Sequence, residues 1–348
     1  MSVPFTFTLP PELSADQPPE RRGIARDEVR LMIVDRASGR TEHSRFDHLG
    51  EFLRSGDLLV FNSSRTLPAS LAGCTEGGPC IEVRLAEHLP DDSWLALLLC
   101  RRDDPFSCGL RPGMKIDFQQ GLTATVHEPD ERIPRLWKLS FSKQGSELIN
   151  LLYSLGQPVR YEYVSAPWSL DYYQTVYARE PGSAEMPSAG RAFTWRLLFN
   201  LQRSGIETAY IVLHTGLSSY MDDQLDAQHY ASEEEYFVSE SAAAKINRVH
   251  ERGDRVIAVG TTVVRTLESA TGDDKQVRAG HGYTRLRITS DYVLKATDGL
   301  LTGLHEPEAS HLNLLTAFLP ADKIKDAYEE AVQKKYLWHE FGDLNLIL

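Results

Sequence analysis

A chain of 348 residues, 42% apolar and 25% charged, is long enough for more than one buried core and too apolar to remain disordered. A formal net charge of -12 excludes a surface uniformly attractive to a phosphate backbone, so any nucleic acid must be met by a local basic patch. The densest apolar run, Trp94 to Cys100, falls far short of the ~20 residues that span a bilayer, and MSVPFTFTLPPEL shows no leader pattern; no membrane partner and a cytoplasmic location are expected.

The first thirty residues, interrupted by prolines, read as an extended lead-in to a strand at Leu31 to Asp35. Asp57 to Asn62 is a second buried-type strand, ending in the polar turn SSRTLP, where Asn62, Ser63, Ser64 and Arg65 are candidates for a ligand loop or form a plain turn. Between Thr66 and Ser142, short apolar segments at Ile81 to Leu85, Trp94 to Cys100, Met114 to Phe118, Leu122 to Val126 and Leu136 to Phe141 alternate with turn formers. That texture predicts a small β-barrel. It divides the chain into a discontinuous α/β domain, 1–65 plus 147–348, and an inserted barrel domain, 66–146. Cys74, Cys80, Cys100 and Cys108 all fall in or beside this texture without a C-x-x-C pair, so reduced, mostly buried thiols are expected rather than a metal site.

Helical periodicity returns at Glu147 to Leu155 and at Trp195 to Ser204, the second capped by Thr194. The long tyrosine-bearing segment between them is either functional or pinned to the core by its rings. Thr208 to Leu213 is a buried-type strand that delivers His214 to its carboxyl end, where a proton carrier, a ligand contact and a structural histidine are all compatible. A helix at Ser241 to Glu251 leads to GDRVIAVGTTVVRTLESA: a strand at Arg255 to Val259, a close turn at Gly260, then a helix capped by Thr261 or Thr262, with Arg265 and Glu268 one turn apart. Ligands of open α/β sheets bind at the carboxyl ends of strands, and a helix start adds free N–H groups. Strands are further expected at Tyr283 to Ile288 and Val293 to Ala296, followed by DGLLTGLHEP, two helices and a closing strand in EFGDLNLIL.

Taken in order, RDEVRLMIVDR (26–36), GDLLVFNSSRTLPA (56–69), YYQTVYAREPGS (172–183), PSAGRAFT (187–194), HTGL (214–217), VIAVGTTVVRTLES (256–269), DGLLTGLHEP (298–307) and FGDLNLIL (341–348) resemble the S-adenosylmethionine:tRNA ribosyltransferase-isomerase family of queuosine biosynthesis. The resemblance implies an α/β domain with an inserted β-barrel. It also implies transfer and isomerisation of the ribosyl moiety of S-adenosylmethionine onto 7-aminomethyl-7-deazaguanine in the anticodon region of tRNA, with release of adenine and methionine. S-adenosylmethionine is then a co-substrate, and no metal is needed. The sulfonium acidifies the adjacent ribose C5′ hydrogens, so a positioned base can start the expulsion of adenine.

By the same resemblance His214, Glu268, Asp298 and His305 are the catalytic candidates, with His214 or Glu268 as proton acceptor. Tyr173, Gln174, Tyr177, Gly260, Thr261, Thr262 and Arg265 would hold the co-substrate, the tyrosine segment stacking on adenine and Arg265 meeting the methionine carboxylate; Asn62, Arg65 and Asp343 would meet the acceptor. The chain departs from the family pattern at Arg191 and Ala192, at Ser218 to Tyr220, at Glu308, Asn313 and Asn345, and around His229. These departures keep two alternatives open: a divergent relative using S-adenosylmethionine on another, small-molecule acceptor, and a non-catalytic binding protein.

Overall fold

The computed structural model describes residues 5–75, 78, 80–100, 109–161, 163–164, 166–222, 226, 233–307 and 309–348; Cys108, His229 and Glu308 lie outside them. In chain order come β1 (Arg30–Val34), β2 (Thr41–Arg45), β3 (Leu58–Asn62) and β4 (Ser64–Thr66). Then follow β5 (Ser70–Thr75), β6 (Cys80–His88), β7 (Trp94–Cys100), β8 (Lys115–Asp117), β9 (Thr123–Pro129) and β10 (Leu136–Phe141). After these lie helix α1 (Gly145–Leu155), β11 (Glu180–Ser183), α2 (Trp195–Arg203), β12 (Glu207–Leu213), β13 (Glu234–Val238), α3 (Glu240–Arg252), β14 (Val256–Val259) and α4 (Thr261–Ala270). The chain closes with β15 (Gly280–Thr284), β16 (Gly299–Gly303), α5 (His311–Leu315), α6 (Ala321–Gln333) and β17 (Leu344–Ile347).

The runs LLVFN of β3 and VIAV of β14 are buried at every position, as strands covered on both faces must be. They sit inside a nine-stranded sheet of order β15-β13-β12-β3-β14-β16-β17-β1-β2. One face packs Val60, Ile211, Ala258 and Leu300 against Ile246 of α3, Val263 and Leu267 of α4, and Ile324 and Tyr328 of α6. The other packs Leu59, Phe61, Ile257 and Leu301 against Phe46, Phe193 and the Leu197, Leu198 and Leu201 stripe of α2. Strands β12, β3, β14 and β16 run parallel, whereas β17 runs against β16 and alongside β1. The carboxyl ends of the four parallel strands therefore share one edge with the amino ends of β17 and β1.

Strands β5 to β10 close into a six-stranded barrel of order β10-β7-β6-β5-β8-β9, whose core continues into Leu148 and Leu152 of α1 and into Leu217 and Tyr220. The expected barrel texture is present, with β5 added. Its segment SLAGCT lacks β-branched residues except at its end, and Gly73 serves close approach: a Cβ there would lie 2.6 Å from Ile116. Two other expectations are corrected. Val293 to Ala296 is not a strand but a loop, and the strand expected at Tyr283 to Ile288 runs instead from Gly280 to Thr284. The thiols also differ from expectation: Cys74 and Cys80 are exposed and face each other across β5 and β6, and Cys100 is disulfide-bonded. Among the described residues no helix is long and apolar enough to cross a membrane, and no group of three His, Cys, Asp or Glu side chains is placed to hold a metal ion.

Candidate active site

The shared edge is built where three adjacent strands end. At the end of β3, Asn62 is buried and spans the neighbouring strand end: its Oδ1 accepts from the N–H groups of Leu213 and Ser64 (3.0 Å each), and its Nδ2 donates to Leu213 O (2.9 Å) and to Thr262 Oγ1 (3.4 Å). One amide thus ties the ends of β3 and β12 to the start of α4. At the end of β14, Gly260 adopts φ +97°, a left-handed value that disfavours any side chain, and it rather than a threonine occupies the helix N-cap position. Its N–H donates to Leu301 O of β16 (2.8 Å), and Thr261 and Thr262 open the first helical turn with N–H groups facing the edge.

His214 follows β12 directly. Its Nδ1 lies 2.8 Å from Ser64 Oγ, which lies 2.6 Å from Ser183 Oγ, which accepts from Thr215 N–H (3.1 Å). With Nδ1–H donating to Ser64 and Ser64 donating to Ser183, the ring proton sits on Nδ1 and the lone pair of Nε2 is left to accept a proton. Burial holds the His214 pKa below its ordinary value, so the ring is neutral near pH 7. Among the described residues Nε2 has no partner, and it is the nitrogen left to meet a ligand. Ser64 belongs to the candidate ligand loop at the end of β3, whereas Ser183 carried no signal of its own in the sequence and no spacing links either to His214. Gly182 makes room for the ring: a Cβ built there overlaps it. Gly182→Ala should therefore push the imidazole off Ser64 and lower kcat/KM by ~100-fold, as misplacements of about 1 Å do, with little change in Tm; steady-state kinetics with a melting control checks this.

Beyond the His214 turn lies a group of acidic and aromatic side chains that the sequence did not reveal. Thr215 Oγ1 donates to Glu185 O (2.7 Å), and Glu185 Oε1 accepts from Ser218 N–H (2.8 Å). Burial raises the Glu185 pKa, and burial and Glu185 together push Glu340 up to about 8. Tyr161 and Tyr163 stack with centroids 5.5 Å apart, and Tyr163 stacks on His339 at 3.9 Å. Arg191, one of the departures from the family pattern, is buried, ion-paired with Glu20 (2.8 Å) and bonded to Tyr172 O (2.8 Å).

The expected site residues divide sharply. Asn62, His214, Gly260, Thr261 and Thr262 come together at the edge. His305 also lies there, just past β16, but its Nε2 is bonded to Thr302 Oγ1 (2.8 Å), its ring stacks on His311 (4.7 Å), and burial holds its pKa well below the ordinary value. Gln174 uses its amide like a backbone unit, bonding both N–H and C=O of Thr66 (3.1 and 2.8 Å). Tyr173 and Tyr177 are buried, packed on Phe341 (5.2 Å) and Phe61 (4.8 Å) respectively, so their rings pin the segment to the core. Arg65 is exposed, with its guanidinium over Tyr153 (5.3 Å).

Four others are engaged in the framework. Asp298 is exposed at the opposite edge, its Oδ2 accepting from Val256 N–H (2.8 Å), because it precedes β16 rather than following it. Asp343 accepts from the N–H groups of Arg30 and Leu337 (2.8 Å each) and faces the Arg30 guanidinium (3.3 Å). Glu268 is buried and gathers the loop after β15: it accepts from Lys295 N–H (2.8 Å), Ala296 N–H (3.1 Å), Thr297 Oγ1 (2.6 Å) and Tyr292 OH (3.4 Å). Arg265 is ion-paired with Glu234 and donates to Leu286 O (3.2 Å). Arg265→Ala would leave Glu234, whose pKa burial already raises, without its countercharge. The cost should reach about 3 kcal/mol at pH 7, and it should shrink as pH falls and Glu234 protonates; denaturant midpoints measured from pH 4 to 7 check it.

The fold and the edge define an α/β enzyme with an inserted barrel, acting on a ligand where parallel strands end and a helix begins. A family model described as queuosine biosynthesis protein matches residues 3–347. The S-adenosylmethionine:tRNA ribosyltransferase-isomerases of Symbiobacterium thermophilum and Moorella thermoacetica are 42% and 40% identical, each over 99% of this chain and 98% of the relative. A crystal structure of S-adenosylmethionine tRNA ribosyltransferase from Thermotoga maritima matches with a TM-score of 0.55 at 30% identity, covering 99% of both chains. The chain belongs to the queuosine biosynthesis family of S-adenosylmethionine:tRNA ribosyltransferase-isomerases.

Proposed function

We infer that this chain transfers and isomerises the ribosyl moiety of S-adenosylmethionine onto the 7-aminomethyl-7-deazaguanine of a tRNA, releasing adenine and methionine. The observation that carries the reading within the family is the convergence of His214 Nε2 with the Gly260–Thr262 helix start at one edge, tied together by Asn62. The helix start suits the methionine carboxylate, since its N–H groups and roughly half a positive charge point outward. That task passes to it from Arg265, which is spent on Glu234. His214 is the residue we assign to proton movement, with Ser64 and Ser183 fixing its tautomer. Asn62 sets the floor of the site, and the tyrosine segment supports it from the core side.

For the RNA, an open groove lined by Arg30, His43, Arg45, His48 and Lys334 lies along β1 and β2, beginning at the same edge. Each of these five side chains already faces a carboxylate, Asp343, Glu330, Asp47 or Glu51, so the phosphates of an anticodon arm would compete with those carboxylates for the cations. We place the enzyme in the cytoplasm, where both substrates are found. Neither a small-molecule acceptor nor a non-catalytic role is favoured by any relative named above. Incubation with S-adenosylmethionine tests the reading: adenine and methionine should appear when precursor-bearing tRNA is added and be absent without it. Adenine released without tRNA, or no adenine with it, contradicts the reading.

A further inference from the structure

Glu340 lies in the turn before β17, at the active edge, and lines a cavity shared with Ser188, Arg191, Gly303 and Phe341. The space open there to the centre of a water-sized group is about 10 Å³, enough for one such group. Oε1 of Glu340 is sealed from solvent and has no hydrogen-bond partner among the described residues, a costly state for a carboxylate oxygen. The cations that line the cavity are engaged elsewhere. Arg191 and Arg26 share Glu20 (2.8 and 3.1 Å), and their remaining bonds go to the carbonyls of Tyr172, Gln174 and Arg191. His339 is held by Glu306 (2.6 Å) and Ser14 (3.0 Å). Glu185 repels Glu340, the Arg191 guanidinium offsets this only in part, and the stacked Tyr161 and Tyr163 stand beside both carboxyls.

We propose that the cavity at Glu340, in the field of Glu185, is a recess that takes the primary ammonium group of a substrate. A partner for this oxygen must donate hydrogen bonds and be about the size of water; an ammonium does both, brings a positive charge to a site with two carboxyls, and would meet Phe341 as an aromatic wall. A proton competes for the same oxygen, since a carboxyl pushed up to about 8 by burial and Glu185 keeps its hydrogen near pH 7 until a cation displaces it. The inference rests on the function proposed above, in which two substrates each bring such a group: S-adenosylmethionine its α-ammonium, and the acceptor base its aminomethyl.

Calorimetric titration of the whole protein and of its Glu340→Gln and Glu185→Gln variants tests the recess. The probes are S-adenosylmethionine, free 7-aminomethyl-7-deazaguanine and the corresponding nitrile, which lacks the amine. Glu340→Gln should weaken one amine-bearing ligand by about tenfold or more and leave the other unchanged, with Glu185→Gln shifting the same ligand in the same direction. Loss confined to the acceptor base, accompanied by loss of its preference over the nitrile, assigns the recess to the acceptor; loss confined to S-adenosylmethionine assigns it to the methionine end. Unchanged affinities, or equal loss for both ligands, overturn the proposal. Adenine release by the parent enzyme reports separately on the function, so unchanged affinities in an enzyme that turns over would remove this inference alone.

Discussion

His214→Ala is expected to lower kcat/KM with precursor-bearing tRNA by ~100- to 10,000-fold, the range spanned by a positioned acid–base group, while the affinity for S-adenosylmethionine changes little. Among the described residues Ser64 is the one side chain hydrogen-bonded to the ring, through Nδ1, and removal of the neutral ring leaves no buried charge behind. The pH dependence follows from the direction of its shift. Burial lowers the His214 pKa, so the neutral imidazole persists below pH 6.5, the ordinary midpoint, and activity should hold there before falling on further acidification. Ser64→Ala removes the group that fixes the tautomer and should reproduce part of the loss with an altered pH profile. Steady-state kinetics between pH 5 and 8, paired with calorimetry, check both variants. An unchanged rate in His214→Ala would remove the residue from the chemistry.

Glu268→Leu is expected to cost stability before it costs chemistry, by about 3 kcal/mol or more, because buried donors lose their acceptor together. The N–H groups of Lys295 and Ala296 and the hydroxyl of Thr297 all converge on this carboxylate, which closes the loop between β15 and β16 onto α4. Glu268→Gln should recover part of the loss, since its single carbonyl oxygen keeps some of those bonds. Urea midpoints measure the effect. A leucine variant with parental stability but no turnover would return Glu268 to the catalytic group.

What could be read beforehand follows from how locally each feature is encoded. The apolar runs of β3, β12 and β14 announce central strands, and alternation punctuated by turn formers announces the barrel. Strand β5 escaped because its small residues matter for the approach of Ile116 to Gly73, a contact between distant segments. Val293 to Ala296 has a strand-like composition, yet Glu268 fixes it as a loop from another element. The same distinction holds in the site. Asn62, His214 and Gly260 each directly follow a strand, so the carboxyl-edge rule finds them; Asp298 precedes one, and the rule sends it to the opposite side. Arg265 and Glu268 occupy suitable positions on their helix, but their partners lie on β13 and on the loop after β15. The tyrosines of the long segment admit a core or a ligand role on composition alone, and Phe61 and Phe341 take Tyr177 and Tyr173 into the core. Glu185 and Glu340 share no motif and meet by tertiary folding.

The most direct measurement is a crystal structure with S-adenosylmethionine bound. The account predicts the nucleoside at the carboxyl edge, with its ribose within reach of His214 Nε2 and its methionine carboxylate on the first turn of α4. Density for the ligand inside the barrel, or beside Asp298 at the opposite edge, would contradict it.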